Sequence, residues 1–470
     1  MHVIPQSWSH LHILVSVFPP LGLLFVLGFW FAGFLSNNDA IRRTCLAVLG
    51  LLALLSVPVY LSGNGSLAAL GGKNPLISKE MMTAHQGWGQ AALIVLVLTG
   101  LAAWVELWRS YRAGRPSGDP RYLVSGLAIV GLGLTAVASE LGFEARHHEL
   151  QSTTVIPDVT TSQLWSHVHI ILNHVPTAGF VFALAFYLVA LVVNNDGMKR
   201  GSLVLFVICS IVGVPTYVTG TAAMWALTQP PMPEISKAVI NAHRDMALWT
   251  LFGLAFTGAA SWIELWRYRH LARFSKLSLA LVLLFAVVTL GIMTETGHLG
   301  GQINHPEIRV ATEILPTDSA AGPSVAIELQ MKSMIWFVPW QTVHFFGYCL
   351  IFGSALAVGL RVLGFWKSVP FAAVHRLLLL GFVGVVMNVV SGMLMMLADS
   401  YRYVVSDYLF APKIALIPIG AIAVLYFSLS ERVWYLKAGE DAPAAAKWVT
   451  ALVLLAWAGV IVCGRLLAFL

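Results

Sequence analysis

The chain has 470 residues, of which 58% are hydrophobic and 11% charged, with mean hydropathy +0.79 and a formal net charge of +6. Soluble chains carry about 25% charged residues, so a soluble globular protein is excluded. The basic residues are scattered in short loops and form no stripe of the kind that grips nucleic acid, so no nucleic-acid partner is expected.

The first residues, Met1 to His10, lack a basic leader segment, and the first apolar run reads as a retained span, not a cleaved signal. Runs of about 20 apolar residues then recur near 12–35, 41–62, 84–108, 121–143, 169–193, 201–227, 242–267, 276–298, 336–363, 371–398, 410–431 and 445–468. Backbone in lipid must satisfy its own hydrogen bonds, and these runs are too long for barrel strands. The expected fold class is all-α: a polytopic integral membrane protein with about twelve transmembrane helices. Eighteen of the 28 Lys and Arg lie in alternate loops, among them Arg109, Arg112, Arg115 and Arg121, then Arg267, Arg269, Arg273 and Lys276. By the positive-inside rule, both termini are expected on the periplasmic side of a bacterial inner membrane.

The chain then says nearly the same thing twice. His10 and His12 match His167 and His169; Pro58-Val-Tyr60-Leu-Ser-Gly63 matches Pro215-Thr-Tyr217-Val-Thr-Gly220; His85 matches His243; Trp104-Val-Glu106 matches Trp262-Ile-Glu264; His147 matches His305. An internal repeat outranks local readings of the fold. The organisation expected is a four-helix repeat over 1–150, a second over 151–310, a polar outer-side loop over 311–335 and an unmatched C-terminal four-helix unit over 336–470. Alternation of the helices sends the doubled histidines to one membrane face.

Histidine is a common axial ligand of haem iron, and helical bundles host such cofactors. His10 or His12 with His85, and His167 or His169 with His243, are the expected ligand pairs of two or more b-type haems. Residues two apart on a helix point about 200° apart, so one histidine of each H-x-H faces a given partner. His12 and His169 are preferred, and the expected metal ligands are His12, His85, His169 and His243. Were the segment not helical, H-x-H would chelate a metal, with copper the favoured ion. Repeat B adds His174 and His298, at positions held in repeat A by Val17 and about Phe143; these, with His147, His305 and His344, complete the candidate cofactor residues. His344 is expected to reach His298 or His305 across the unit boundary.

Glu140 and Glu295 stand in similar contexts, Ser139-Glu-Leu-Gly142 and Thr294-Glu-Thr-Gly297, and acids near spans are often functional; they are the candidate catalytic proton acceptors. Other features read more simply. Glu106 and Glu264, each with Arg three residues on, read as ion pairs at the inner helix ends. Asn37-Asn-Asp39 and Asn194-Asn-Asp196 read as helix caps. The Pro–Gly segments are expected to kink and close helices 2 and 6. Met393-Leu-Met-Met396 reads as core. The four cysteines, far apart and without a C-x-x-C pair, exclude a zinc knuckle and covalent haem attachment and read as small buried hydrophobes.

On H-x-H-x(6)-P and the helix-3 histidine, each repeat resembles the four-helix membrane b-type cytochromes and a family of small predicted membrane proteins of unassigned function, over residues about 8–309. The C-terminal segments V343-H-F-F-G-Y-C-L and N388-V-V-S-G-M-L-M-M are similar in style to uncharacterised four-helix units and, more loosely, to copper-resistance membrane proteins. The resemblance implies haem b and electron transfer. The function expected is a membrane cytochrome moving electrons between quinol and a periplasmic partner, a c-type cytochrome or other subunits of a respiratory complex. The alternatives are a copper-binding or transport protein and a cofactor-free structural subunit. Transport sites lie near the bilayer midplane in broken helices, whereas the polar residues here gather at one face.

Overall fold

The structure, a computed structural model, describes residues 5, 7–35, 39–70, 79–112, 120–146, 161–228, 236–305, 330–398, 403 and 409–467. Among them there are twelve helical segments long and apolar enough to cross a membrane and no strand. Repeat A is built from α1 (Trp8–Ser16) and α2 (Phe18–Leu35), which share the first span, then α3 (Asp39–Leu70), α4 (Lys79–Arg112) and α5 (Pro120–Arg146). Repeat B comprises α6 (Thr161–Val192), α7 (Asp196–Thr228), α8 (Lys237–Leu271) and α9 (Lys276–Asn304). The C-terminal unit comprises α10 (Met334–Leu363), the short α11 (Phe371–His375), α12 (Leu378–Ala398), α13 (Phe410–Leu429), the short α14 (Glu431–Trp434) and α15 (Ala444–Leu466). Large apolar side chains such as Leu51, Leu54, Leu98, Leu101, Val287, Val288 and Leu455 stay exposed on the bundle's flanks. In a membrane these meet lipid, where a helix apolar all round is stable.

Proline placement explains the departures from the expected boundaries. The first span breaks at Val17, ahead of Pro19 and Pro20. Two successive prolines remove two backbone donors and crowd the preceding turn. Repeat B has the single Pro176 and its helix runs on unbroken. Nor do the Pro–Gly segments end their helices: α3 continues past Pro58 to Leu70 and α7 past Pro215 to Thr228. Both segments therefore present their residues from regular helix.

The repeats join along α2 and α6. Phe29 stacks on Phe186 at 4.5 Å between centroids, and Phe25 lies 6.0 Å from Phe182. Phe25 occupies the space a side chain at Gly179 would need, as Phe29 does at Gly201. The C-terminal unit docks on repeat B through a buried cluster containing Tyr217, Leu251, Met393, Met396, Phe410 and Leu467, which places the two methionines in a core.

The end of the bundle away from the doubled histidines is pinned by buried charge. Arg361 is fully buried and donates to the carbonyls of Val369, Lys437 (2.7 Å) and Glu440 (3.2 Å). Arg269 donates to the carbonyls of Ser428 and Leu429. Glu264 is more than a partner for Arg267 at 3.4 Å: its Oε1 also accepts the Ser275 N–H at 2.6 Å, holding the turn into α9. Asn195 caps α7 by accepting the Met198 N–H at 2.9 Å, whereas Asn37 and Asn38 lie outside the described residues. Of the cysteines, Cys45 and Cys209 are buried, but Cys463 is half-buried and Cys349 exposed. A small apolar residue meets no penalty on a lipid-facing surface, so burial does not follow from its chemistry.

Candidate functional site

Four histidines are held in one way. His12 of α1 places Nδ1 3.0 Å from the Val59 carbonyl of α3. His85 of α4 places Nδ1 2.7 Å from the Ala138 carbonyl of α5. His169 of α6 meets the Thr216 carbonyl of α7 at 3.0 Å, and His243 of α8 meets the Thr296 carbonyl of α9 at 2.9 Å. A carbonyl only accepts, so each Nδ1 carries the proton and each Nε2 keeps its lone pair. Ligating histidines are fixed by this kind of second contact.

Four residues beyond each carbonyl, one helical turn on, stands a glycine: Gly63, Gly142, Gly220 and Gly300. In every case the imidazole lies in the notch it leaves. A β-carbon would stand 2.9 Å from Cε1 of His12 at Gly63 and 3.0 Å from Cε1 of His85 at Gly142. The corresponding approaches are 2.7 Å for His169 at Gly220 and 2.9 Å for His243 at Gly300. Glycine here has a steric purpose, since the neighbouring ring occupies the space of a side chain.

His12 and His85 face each other, with ring centroids 6.2 Å apart and planes at 83°. Metal–imidazole nitrogen bonds of about 2.0–2.1 Å put two rings on one metal at centroid separations of about 6 Å. In repeat B, His169 and His243 line a cavity of about 510 Å³ between the helices of that repeat and the first span of repeat A, within the size range of small-molecule and cofactor sites. His174, His298 and His305 line the same cavity, and His10 closes it from repeat A. The His10 ring lies 5.6 Å from that of His298, and His305 is within electrostatic reach of His12. The two histidine pairs therefore adjoin across the repeat boundary.

The remaining sequence candidates fall into place around this frame. Helix geometry at 8–16 and 161–192 turns the two histidines of each H-x-H to different faces, which removes the H-x-H chelate. His10 goes to the cavity, and half-buried His167 is not among its walls. His174 bonds the Ile170 carbonyl of its own helix at 2.5 Å. His344 does not join His298 or His305; it sits within the C-terminal unit, 3.0 Å from the Ser391 hydroxyl. His147 lies outside the described residues, as do residues 311–329 of the long loop.

The notches also correct a pairing. Counted back from Gly142 and Gly300, Glu140 corresponds to His298, and Glu295 corresponds to Val137. The two acids differ accordingly, with Glu140 exposed and Glu295 on the cavity wall. Three further residues belong to the site: Tyr217, Gly142 and Gly300. Tyr217 is buried on the cavity wall with no hydrogen-bond partner for its hydroxyl among the described residues; its sequence signal was the shared Pro-x-Tyr. The notch glycines Gly142 and Gly300 follow His85 and His243 at equal spacing, a regularity that could have exposed them. Among the described residues no three His, Cys, Asp or Glu side chains converge as a metal chelate.

The family described as "Predicted membrane protein (DUF2231)" matches residues 166–310, the extent of the second repeat. No curated protein and no solved structure matches the chain. That match and the twelve spans together make the chain an all-helical, polytopic membrane protein.

Proposed function

We propose that the chain is a membrane b-type cytochrome with one haem in each repeat, ligated by His12 with His85 and by His169 with His243, passing electrons between quinol and a redox partner on the side where the histidines gather. The observation that carries this reading is the fourfold seating of imidazoles, each with Nδ1 committed to a carbonyl and its edge in a glycine notch. Ordinary buried histidines need a hydrogen-bond partner, not a cleared notch at a fixed register. Bound haem supplies one-electron chemistry at an iron whose potential the axial ligands and surroundings set. The protein's own residues orient the ligand nitrogens, exclude water with apolar helix faces, and join the two sites through His10 and His298. Glu295 is the carboxylate placed to take a proton from a bound quinol, and Tyr217 offers that cavity a hydroxyl.

A facing pair such as His12 and His85 suits an axially ligated macrocycle, since haem iron takes His ligands. The deciding measurement is a reduced-minus-oxidised visible spectrum of the purified protein, with pyridine haemochrome and elemental analysis on the same sample. The expected result is haem b at two or more per chain, reducible by a quinol analogue and partly lost in His85→Ala and in His243→Ala. Copper without haem would replace this reading with a copper site. A sample with neither would leave a structural subunit.

A further inference from the structure

The C-terminal unit repeats the seating pattern in a form the sequence hides. His344 of α10 has Nδ1 3.0 Å from Ser391 Oγ, and that hydroxyl donates to the Met387 carbonyl at 2.5 Å. Its lone pair thus accepts the Nδ1 proton, and Nε2 of His344 stays available. Ser391 and Gly392 stand to His344 as Ser62 and Gly63 stand to His12, and as Thr219 and Gly220 stand to His169. Ser62 Oγ lies 3.3 Å from His12 Nδ1 and Thr219 Oγ 3.4 Å from His169 Nδ1. A β-carbon at Gly392 would stand 3.0 Å from Cε1 of His344, so the notch is present too.

Where the repeats place their second histidine, on the third span against a glycine of the fourth, this unit places Lys413. It lies on α13, and a β-carbon at Gly464 of α15 would stand 3.4 Å from its Nζ. Lys413 is within electrostatic reach of His344. Its ammonium has no hydrogen-bond or ion-pair partner among the described residues, and the Phe410 ring lies 6.0 Å from Nζ. A lysine held among the helices of a membrane bundle is costly and often marks function.

We infer that the C-terminal unit is a third copy of the site, holding a haem ligated by His344 alone, with Lys413 as a distal donor beside an open sixth position that takes a diatomic ligand. This rests on the haem reading of the two repeats. It differs from them in consequence: two imidazoles close an iron to exogenous ligands, whereas one imidazole with a distal hydrogen-bond donor is the arrangement that binds them. Lysine brings three donors and no acceptor, suited to the partial negative charge on a bound diatomic.

The test is carbon monoxide binding to the dithionite-reduced full-length protein, read by difference spectrum and by the infrared C–O stretch, with the haem count taken on the same sample. The expected wild-type result is three haems per chain, of which one responds to carbon monoxide. His344→Ala should remove about a third of the haem and all of the response. Lys413→Met should keep the response and shift the C–O stretch, because only the distal donor is lost. Lys413→His should restore a second imidazole and abolish binding while the haem count stays at three. The two lysine variants leave His344 in place and keep the test open if His344→Ala does not fold. Two haems per chain with no carbon monoxide response overturns this inference and leaves the reading of the repeats intact; no haem at all overturns both. A Lys413→Met protein that changes from six- to five-coordinate spectra would make Lys413 a ligand and sink the open site.

Discussion

His12 and His85 lie 6.2 Å apart at their ring centroids, nearly perpendicular, and neither contributes the helix that orients the other. His12 takes its bearing from α3 through Val59, and His85 from α5 through Ala138. The pair is thus fixed by four helices, and a disturbance of either supporting helix should be read out at the pair.

The glycine notches give the sharpest form of that statement. Ala replaces Gly in an open helix interior with a gain of roughly 0.5–1 kcal/mol. At Gly28, where a β-carbon meets nothing within 4 Å, Gly28→Ala should raise the melting temperature slightly. At Gly220 the same change drives a methyl to 2.7 Å from the His169 ring. Gly220→Ala should lower it, with loss of cofactor from repeat B alone. Thermal melts in detergent with absorbance spectra on the same samples check both signs.

Removing the contact between His10 and His298 should slow electron exchange between the repeats without emptying either site. His10→Phe and His298→Phe proteins are expected to keep the wild-type haem content. After reduction of a fraction of the chains, their redistribution of electrons should be slower by about tenfold or more, an effect of about 1.4 kcal/mol or more on the barrier. Equal rates in wild type and variants would show that the contact carries no current.

The two candidate acids should behave differently. Glu295 reaches the cavity and Glu140 is exposed. Glu295→Gln is expected to depress quinol oxidation by on the order of 100-fold, the scale of a lost general base, with haem content unchanged. Glu140→Gln should stay near wild type. Steady-state turnover with a soluble quinol analogue separates them.

Arg361 is a structural prediction at the far end. It is fully buried and feeds three backbone carbonyls from two segments, one at Val369 and one at Lys437 and Glu440. Arg361→Leu leaves those acceptors unmet at about 1–3 kcal/mol each, so the C-terminal unit should lose several degrees of melting temperature. Protease sensitivity should appear around Val369 and Lys437 before the repeats open.

Much of this architecture is legible in the sequence because lipid is a demanding solvent: spans must be long, apolar and helical, and twelve of them stand out. The doubled histidines are equally plain, since a repeat filters its own residues. What sequence could not show is a side chain's partner when that partner is a carbonyl. Val59, Ala138, Thr216 and Thr296 act through backbone, and nothing in their side chains announces it. Pro58 and Pro215 misled for a related reason, because one missing donor bends a membrane helix without ending it. The C-terminal unit stayed unmatched because Lys413 replaces a histidine and its notch follows at a shorter spacing than in the repeats. Matching Glu140 to Glu295 failed because like letters in similar strings outweighed the register that Gly142 and Gly300 impose.

The seating of each histidine on the adjacent helix makes a hairpin of two spans the smallest unit of inheritance in this protein. A duplicated hairpin carries its ligand, its carbonyl and its notch together, so a new copy arrives with the imidazole already aimed. Divergence can then act on one hairpin at a time. The second hairpin of the C-terminal unit has changed its end group, and the first has kept its own.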